Sequence, residues 1–190
     1  MHRIRIGAVA GVLLALAASG AAHAAPAGTG RDGRPAPQGE QHCVVEAVEL
    51  DAAGDPLVDG TAAEPTCFAT EPEVDAFLEG RASAARSVDA ALASSTLIGR
   101  VYQDAGGGGG SLSFWGANAC AGSTFGFPSL PAGWNDAISS GGGLNGCWVT
   151  MYTDASYGGS RLNCTPWCGG LSSWNDRVSA LVFRPAGQYG

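Results

Sequence analysis

The chain has 190 residues, a formal net charge of −7, thirty glycines and no lysine. The charge is uneven, because residues 25–96 hold thirteen Asp and Glu against four Arg, whereas residues 97–190 hold four Asp and four Arg. No stretch provides the basic surface that contact with a nucleic-acid backbone requires, so we exclude a nucleic-acid partner.

Residues 1–24 predict a secretory signal peptide. Two arginines precede an apolar run, and the small residues of Ala22–Ala24 form an A-x-A cleavage pattern. The apolar run is too short to span a bilayer. We therefore expect a secreted protein with no membrane span, whose mature chain starts near Ala25 with a flexible Pro/Gly-rich leader over residues 25–40.

Six cysteines follow the signal, and an even number in an exported chain predicts disulfide bonds rather than a metal or redox centre. No paired CxxC spacing is present. The pairing we favour is Cys43–Cys67, Cys120–Cys147 and Cys164–Cys168. A bond between Cys147 and Cys164, across a predicted hairpin, is the alternative.

Residues 41–80 predict a small acidic element stapled by its own disulfide. The stretch CVVEAVEL favours a strand. A helix is expected from about Glu71 to Glu79, because Thr70 and Glu73 form a capping box and Gly80 suits the helix end. The Ala/Ser-rich residues 81–96 fit either a weak helix or a linker.

Residues 97–190 predict an all-β domain. Glycine becomes frequent, all five tryptophans occur here, and short β-type runs alternate with turn residues. The predicted strands contain the stretches LIGRVY, SLSFW, CWVTMY, SRLNC and VSALVF.

This domain contains an internal repeat. Val101–Leu112 and Met151–Leu162 share a Tyr-x-Asp-Ala pattern followed by two glycines and a leucine. The stretches WNDAISS and WNDRVSA then repeat Trp-Asn-Asp-x-x-Ser. A repeat of this size predicts two supersecondary units that bury one core together.

The four carboxylates of the domain all fall on repeat positions: Asp104 with Asp154, and Asp136 with Asp176. Oxygen ligands in symmetric positions suit Ca²⁺, which takes about six to eight oxygens. One Trp-Asn-Asp could be only a turn, but two copies in matched context favour a site. We interpret Asp104 and Asp154 as hairpin residues that support the loops rather than as direct ligands.

The two motifs, NDAISS and NDRVSA, together with the hairpin YTDASYGG, resemble those of the βγ-crystallin superfamily, in particular its secreted bacterial members. The resemblance covers residues 97–185. It implies a sandwich of two four-stranded Greek keys, preceded here by the acidic segment, with two Ca²⁺ sites shared between the motifs. The family is related in fold to bacterial metalloproteinase inhibitors.

The resemblance also implies a role for each motif residue. Side-chain oxygens would come from Asp136, Asp176, Ser139 and Ser179, backbone carbonyls from Ala137 and Arg177, and hydrogen bonds that hold the loops from Asn135 and Asn175.

Two positions depart from the family pattern. The first hairpin has Gly107 where the second has the aromatic Tyr157, and the second motif ends in Ala180 instead of Ser. We expect the first hairpin to be looser and its site to bind more weakly, and the change at Ala180 to matter less. We interpret the five tryptophans as core residues, with a sugar-stacking platform as the alternative.

Three classes of function remain in competition. We favour a secreted, monomeric, non-enzymatic Ca²⁺-binding protein with a structural, stress-related or envelope role. The main alternative is an inhibitor of a secreted proteinase, for which the stretch Ala117–Ser129 offers a loop. An enzyme is disfavoured, because the mature chain has a single histidine, His42, which would have to reach across domains.

Overall fold

The computed structural model describes residues 40–52, 54–57, 64–88 and 95–190. The expected signal peptide and nearly all of the expected leader lie outside these residues. In chain order the elements are β1 (His42–Glu46), β2 (Val48–Leu50), β3 (Thr66–Phe68), α1 (Glu71–Val88), β4 (Thr96–Asp104), β5 (Gly108–Gly116), β6 (Thr124–Phe127), β7 (Ser140–Gly143), β8 (Cys147–Asp154), β9 (Gly158–Cys164), β10 (Trp167–Cys168), a short 3-10 helix (Ser172–Trp174) and β11 (Ala180–Pro185).

The strands form two sheets, and each repeat contributes one of its four strands to the sheet of the other repeat. The first repeat is β4–β7 and the second is β8–β11. The first sheet has the order β10-β7-β4-β5-β1-β3, and the second sheet has the order β2-β6-β11-β8-β9. The third strand of each repeat therefore pairs in the sheet of the other repeat. This is the pair of Greek keys expected from the resemblance, and the expected all-β sandwich is confirmed.

The sequence CVVEAVEL forms two strands instead of one, and they join different sheets. β1 runs parallel to β5 in the first sheet, while β2 pairs with β6 in the second. Residue Ala47 lies between them, and its N–H donates to the Trp115 carbonyl. The acidic segment thus contributes edge strands to both sheets of the β domain.

Helix α1 packs on the outer face of the first sheet. Val74 and Leu78 are buried there against Val44 and Trp115. Half of the predicted capping box is present, because the Glu73 carboxylate accepts hydrogen bonds from the Thr70 N–H and hydroxyl.

The predicted end of the helix at Gly80 is wrong. The helix continues through Gly80 to Val88 because a glycine in a solvent-facing position costs only about 1 kcal/mol and the Ala-rich residues beyond it favour helix. The stretch 81–88, which the sequence left open between helix and linker, is therefore helical.

The structure has the cysteine pairing favoured from the sequence. Cys43 is bonded to Cys67, Cys120 to Cys147 and Cys164 to Cys168. The first bond joins the adjacent strands β1 and β3. The second connects the loop after β5 to the start of β8, and so joins the two repeats.

The main core lies between the two sheets. Its largest fully buried side chains include Phe114, whose ring centroid lies 4.7 Å from that of Phe127 and 5.1 Å from that of Phe183. Residues Trp134 and Trp174 also pack against this core, as predicted. Each of them precedes one of the two Asn-Asp loops, so the core supports both loops from below.

Candidate functional site

Two loops, one in each repeat, carry the Asn-Asp motifs and have the same backbone conformation. Asp136 and Asp176 both have φ of 54°, in the left-handed region that Asp tolerates better than most residues. The Asp136 N–H donates to the Val178 carbonyl and the Asp176 N–H to the Ile138 carbonyl, each at 3.0 Å. Each loop is therefore held by the backbone of the other.

The asparagine before each aspartate orients the carboxylate. Asn135 Nδ2 donates to Asp136 Oδ2 at 2.8 Å, and Asn175 Nδ2 donates to Asp176 Oδ2 at 2.7 Å. This bond uses one carboxylate oxygen and leaves Oδ1 free to face the opposite loop. A role of the asparagines in holding a metal-binding loop stays a prediction.

Each free carboxylate oxygen faces a serine hydroxyl of the other repeat. Ser179 Oγ lies 3.5 Å from Asp136 Oδ1, and Ser139 Oγ lies 3.4 Å from Asp176 Oδ1. These distances are at the long limit of a hydrogen bond, so the oxygens are neighbours without a tight mutual contact. The result is two equivalent oxygen pairs, each with one member from each repeat.

The serines are fixed by the hairpins. The Ser139 N–H donates to the Tyr102 carbonyl and the Ser179 N–H to the Tyr152 carbonyl, each at 2.9 Å. Both serines are at most 7 % exposed. The hydroxyl positions are therefore set by strands β4 and β8, whereas the carboxylates lie on exposed loops.

The potential metal ligands around these pairs are all oxygen atoms, and their two carboxylates are not neutralised by a basic side chain of the described residues. Among the described residues neither Asp136 nor Asp176 forms an ion pair, and the nearby Arg177 guanidinium donates to the Ser173 carbonyl instead. No group of three or more His, Cys, Asp or Glu side chains converges in the described ranges. A carboxylate, a hydroxyl and backbone carbonyls are ligands that a hard cation such as Ca²⁺ accepts, so the residues present fit the ion.

The other predicted site residues take supporting or undetermined positions. Asp104 and Asp154 lie at equivalent ends of β4 and β8, where each pairs with a glycine across its hairpin. The Asp104 carbonyl accepts a hydrogen bond from the Ser140 hydroxyl at 2.6 Å. Ala137 and Arg177 follow the aspartates directly, and a role for their carbonyls stays a prediction.

A polar cluster under the start of helix α1 was not predicted from the sequence. Arg100 is buried on β4, and its guanidinium donates to Glu71 at 2.6 Å and to Asp75 at 2.7 Å. Its Nε donates to the Ser113 hydroxyl. Burial lowers the pKa of Arg100, but the bond to Asp75 and the charges of both carboxylates outweigh burial and raise it. The one feature of the sequence that indicates this cluster is a lone arginine inside an apolar strand.

His42 does reach the β domain, contrary to the expectation of separate domains, but in an arrangement unsuited to nucleophilic catalysis. Its Nδ1 lies 2.9 Å from the Ser111 hydroxyl and 3.8 Å from Glu71. A relay needs the nucleophile and the acid on different ring nitrogens, and here both approach Nδ1. Ser111 is also fully buried.

The stretch Ala117–Ser129, expected to be a loop, is partly a strand. Residues 124–127 form β6, and both Phe125 and Phe127 are buried in the core. The strand exchange between the repeats requires this stretch as a third strand. Residues 117–123 form a connection in which Ala117, Asn118, Ala121 and Gly122 are exposed, and the buried disulfide at Cys120 restrains it.

Comparison with known proteins connects this architecture to two groups. Residues 101–165 match the model of the peptidase inhibitor family I36. Among solved structures, the chain is similar to a βγ-crystallin domain from Flavobacterium johnsoniae, at 24 % identity and a TM-score of 0.38 over 48 % of this chain and 99 % of that chain. It is also similar to an archaeal βγ-crystallin, at 23 % identity and a TM-score of 0.35 over 47 % of this chain and 98 % of that one.

A third similar structure is a βγ-crystallin domain from Clostridium beijerinckii, at 18 % identity and a TM-score of 0.36 over 46 % of this chain and 97 % of that chain. The strand order described above carries the assignment of a βγ-crystallin-like fold, as expected from the motifs, and the match over residues 101–165 relates the chain to a peptidase inhibitor family. The search of curated proteins gave no match. Within the described ranges, no helix has the length and apolar character needed to cross a membrane.

Proposed function

We propose that this chain is a secreted, monomeric, non-enzymatic module that binds two Ca²⁺ ions and has a structural, stress-related or envelope role. The observation that carries the proposal is the pair of equivalent oxygen clusters, each built from the aspartate of one repeat and the serine of the other. The contacts of 3.4–3.5 Å between each hydroxyl and the carboxylate oxygen are long for a hydrogen bond, which leaves both oxygens available to a bridging cation.

Each proposed site takes its side-chain oxygens from both repeats. The first would use Asp136 and Ser179, and the second Asp176 and Ser139. The carbonyls of the residues after the aspartates, Ala137 and Arg177, would add backbone ligands. Bound Ca²⁺ would link the repeats and stabilise the folded state by mass action, by about 2.7 kcal/mol for each site at a free concentration of one hundred times Kd.

The test is a calorimetric titration of the metal-stripped, oxidised chain from residue 25 with Ca²⁺, together with thermal unfolding in Ca²⁺ and in chelator. We expect two sites and a higher Tm in Ca²⁺. Asp136→Asn and Asp176→Asn should each remove one site, and the double variant should lose the Tm shift. Asp55→Asn, at an exposed position outside the two repeats, is the matched control and should keep both sites. No heat and no Tm shift up to about 10 mM Ca²⁺ would refute the proposal.

A second candidate function is inhibition of a secreted proteinase, which the match over residues 101–165 favours. The structure offers a restrained exposed connection at residues 117–123, tied to β8 by the disulfide between Cys120 and Cys147. A connection fixed in this way resists the unfolding that precedes proteolysis.

This candidate is tested by measuring hydrolysis by a panel of secreted metallo- and serine proteases in the presence of the oxidised chain. Inhibition at stoichiometric concentrations, with the chain recovered intact, would establish the inhibitor function. Replacement of Asn118 and Ala121 by bulky residues should weaken inhibition if the connection enters the protease cleft. Steady hydrolysis of the substrate by every protease would exclude the function for that panel.

A further inference from the structure

Trp167 differs from the other four tryptophans in its exposure. Its relative exposure is 46 %, whereas Trp115 and Trp134 are 5 % exposed and Trp148 and Trp174 are half-buried. An exposed indole is not needed for the core, and the core prediction made for all five tryptophans does not hold at this position. Its surroundings indicate what the ring can bind.

The Trp167 ring is held in place although it is exposed. Its backbone belongs to β10, which pairs with β7 so that Trp167 lies opposite Gly142. The next residue, Cys168, is bonded to Cys164. The ring packs edge-on against Tyr102, with centroids 5.8 Å apart and planes at 77°. Such a ring loses little conformational entropy when a ligand covers it.

Glycines surround the ring and leave it uncovered. A Cβ atom at Gly107 would lie 3.8 Å from the Trp167 ring, and one at Gly169 would lie 3.5 Å from Nε1. The Gly106 N–H donates to the Gly169 carbonyl at 2.7 Å, which fixes the hairpin beside the ring. Apart from the edge-on contact with Tyr102, the described surface beside the indole is formed largely by glycine backbone, which leaves Trp167 46 % exposed.

The rim of this surface is polar and acidic. The Tyr102 hydroxyl lies 3.5 Å from Glu71 Oε2, and Asp104 is exposed on the hairpin that carries Gly107. Burial, together with the charge of Glu71, raises the pKa of Tyr102, so this hydroxyl stays neutral and can donate a hydrogen bond. Arg100 neutralises one charge of the Glu71 and Asp75 pair, so together with Asp104 the rim keeps a net negative charge, which repels phosphates, nucleotides and acidic glycans. The glycines offer no apolar groove for an extended peptide.

We propose that Trp167 is the stacking platform of a binding site for neutral β-1,4-linked glycans. A pyranose ring with equatorial substituents has a flat C–H face that covers an indole, and its hydroxyl groups can donate to the carboxylates at the rim. The site lies on the outer face of the first sheet, and it uses neither Asp136 nor Asp176.

The test uses the oxidised chain from residue 25, with cellohexaose and chitohexaose as soluble probes and cellulose and chitin as insoluble ones. We expect Trp fluorescence to change on titration and Trp167→Ala to weaken binding about tenfold or more. Trp167→Phe should retain part of the affinity, because the smaller ring still stacks. Trp148→Ala is the matched control, since Trp148 is half-buried against Tyr189, and it should bind like the wild type.

Gly169→Leu provides a second, independent test in case Trp167→Ala impairs folding. Its side chain would cover the indole and should abolish binding while the thermal unfolding curve stays unchanged. Binding that survives both Trp167→Ala and Gly169→Leu would overturn the proposal, and so would the absence of binding to all four probes. The Asp136→Asn and Asp176→Asn variants should bind glycans normally, so this proposal and the calcium proposal can fail separately.

Discussion

The β4–β5 and β8–β9 hairpins have one shape but are stabilised in different ways. Both turns place two consecutive residues at positive φ, Gly106 and Gly107 in the first and Ser156 and Tyr157 in the second. In the second hairpin, Tyr157 packs on Tyr152 of the same hairpin, with centroids 5.8 Å apart. The first hairpin has no such aromatic residue, so its contacts come from elsewhere in the chain.

Two distant residues replace the missing aromatic contact in the first hairpin. Trp167 of the second repeat packs on Tyr102 at the same centroid distance of 5.8 Å. The buried Ser140 hydroxyl donates to the Asp104 carbonyl at 2.6 Å and accepts from the Gly107 N–H at 3.0 Å. In the second repeat Ala180 occupies the position of Ser140. Both turns also donate a backbone hydrogen bond to the opposite repeat, from Gly106 to Gly169 and from Ser156 to Pro128. The two hairpins therefore differ in the source of the aromatic contact and in the bonds of Ser140.

The central strands show the same contrast. Arg100 on β4 corresponds to Thr150 on β8 at the repeat offset of fifty residues. Arg100 anchors helix α1 through two carboxylates, whereas Thr150 bonds Asn163 and Arg184 within its own sheet. The first repeat has thus adapted to carry the N-terminal segment, and the second has not.

The largest expected loss of stability comes from Arg100→Thr, which gives the first repeat the residue that the second repeat has at the equivalent position. The side chain of Arg100 is 11 % exposed, and its loss leaves Glu71, Asp75 and Ser113 without their partner. We expect the free energy of unfolding to fall by about 3 kcal/mol in urea titrations. Arg161→Thr, on an exposed position of β9, should change it by less than about 0.5 kcal/mol. Equal effects of the two substitutions would show that Arg100 does not anchor the helix.

Ser140→Ala should have the next largest effect, because it leaves the Gly107 N–H and the Asp104 carbonyl without their hydrogen-bond partner. We expect a loss of about 2 kcal/mol and faster amide hydrogen exchange at Gly107. Ser160→Ala, exposed on the second hairpin, is the control. Unchanged exchange at Gly107 would mean that the first hairpin does not depend on this contact.

Tyr157→Phe should stabilise the second hairpin, by about 1 kcal/mol at neutral pH. The Tyr157 hydroxyl is buried, and it has no hydrogen-bond partner among the residues that the structure describes. Burial raises its pKa to about 12, above the value of about 10 in an unfolded chain. The unfolded state therefore loses this proton first, and the stability of the wild type should fall as the pH rises from about 10 to about 12.

The alkaline loss of stability should be smaller in Tyr157→Phe than in the wild type, as measured by urea titrations across that pH range. Tyr189→Phe, at an exposed position, should leave the loss unchanged. If Tyr157→Phe and Tyr189→Phe lose the same stability at alkaline pH, the ionisation of Tyr157 is not the cause of the loss.

Ala180→Ser should have the smallest effect. By repeat symmetry the new hydroxyl would face the Asp154 carbonyl and the Tyr157 N–H, and two hydrogen bonds would offset its burial. We expect a gain of about 0.5 kcal/mol. Slower amide exchange at Tyr157 would confirm that the contact forms. A loss above about 1 kcal/mol would instead mean that this fully buried position cannot hold an extra oxygen.

Much of the β domain could be predicted because its signals are local. The five predicted stretches fall within or overlap β4, β5, β8, β9 and β11. Four of these strands contain β-branched or aromatic residues between turns, whereas β9 is indicated by its place in the repeat. The strand β7 escaped prediction because its sequence is SGGG. Its glycines are required because other segments of the chain pass close to its backbone. A Cβ atom at Gly143 would lie 2.1 Å from the Cys147 carbonyl oxygen. Such contacts leave no local pattern.

The candidate site could be anticipated from the repeat, since two copies of one loop in a two-fold arrangement bring equivalent residues together. The partners of Arg100 could not be anticipated. The helix that supplies Glu71 and Asp75 packs on a sheet whose outer face is defined only once β1 has paired in parallel with β5. Parallel pairing between segments about seventy residues apart depends on the whole fold, and no residue near Arg100 encodes it.

The exchange of β6 and β10 has a consequence for a chain that meets proteases. A cut in the loop between β6 and β7 would separate the backbone into two pieces, yet each sheet would still hold strands from both. The bond between Cys120 and Cys147 spans that loop and would keep the pieces covalently joined. A molecule nicked there would run as one species without reductant and as two with it, and we expect it to keep its native spectrum until the disulfide is reduced.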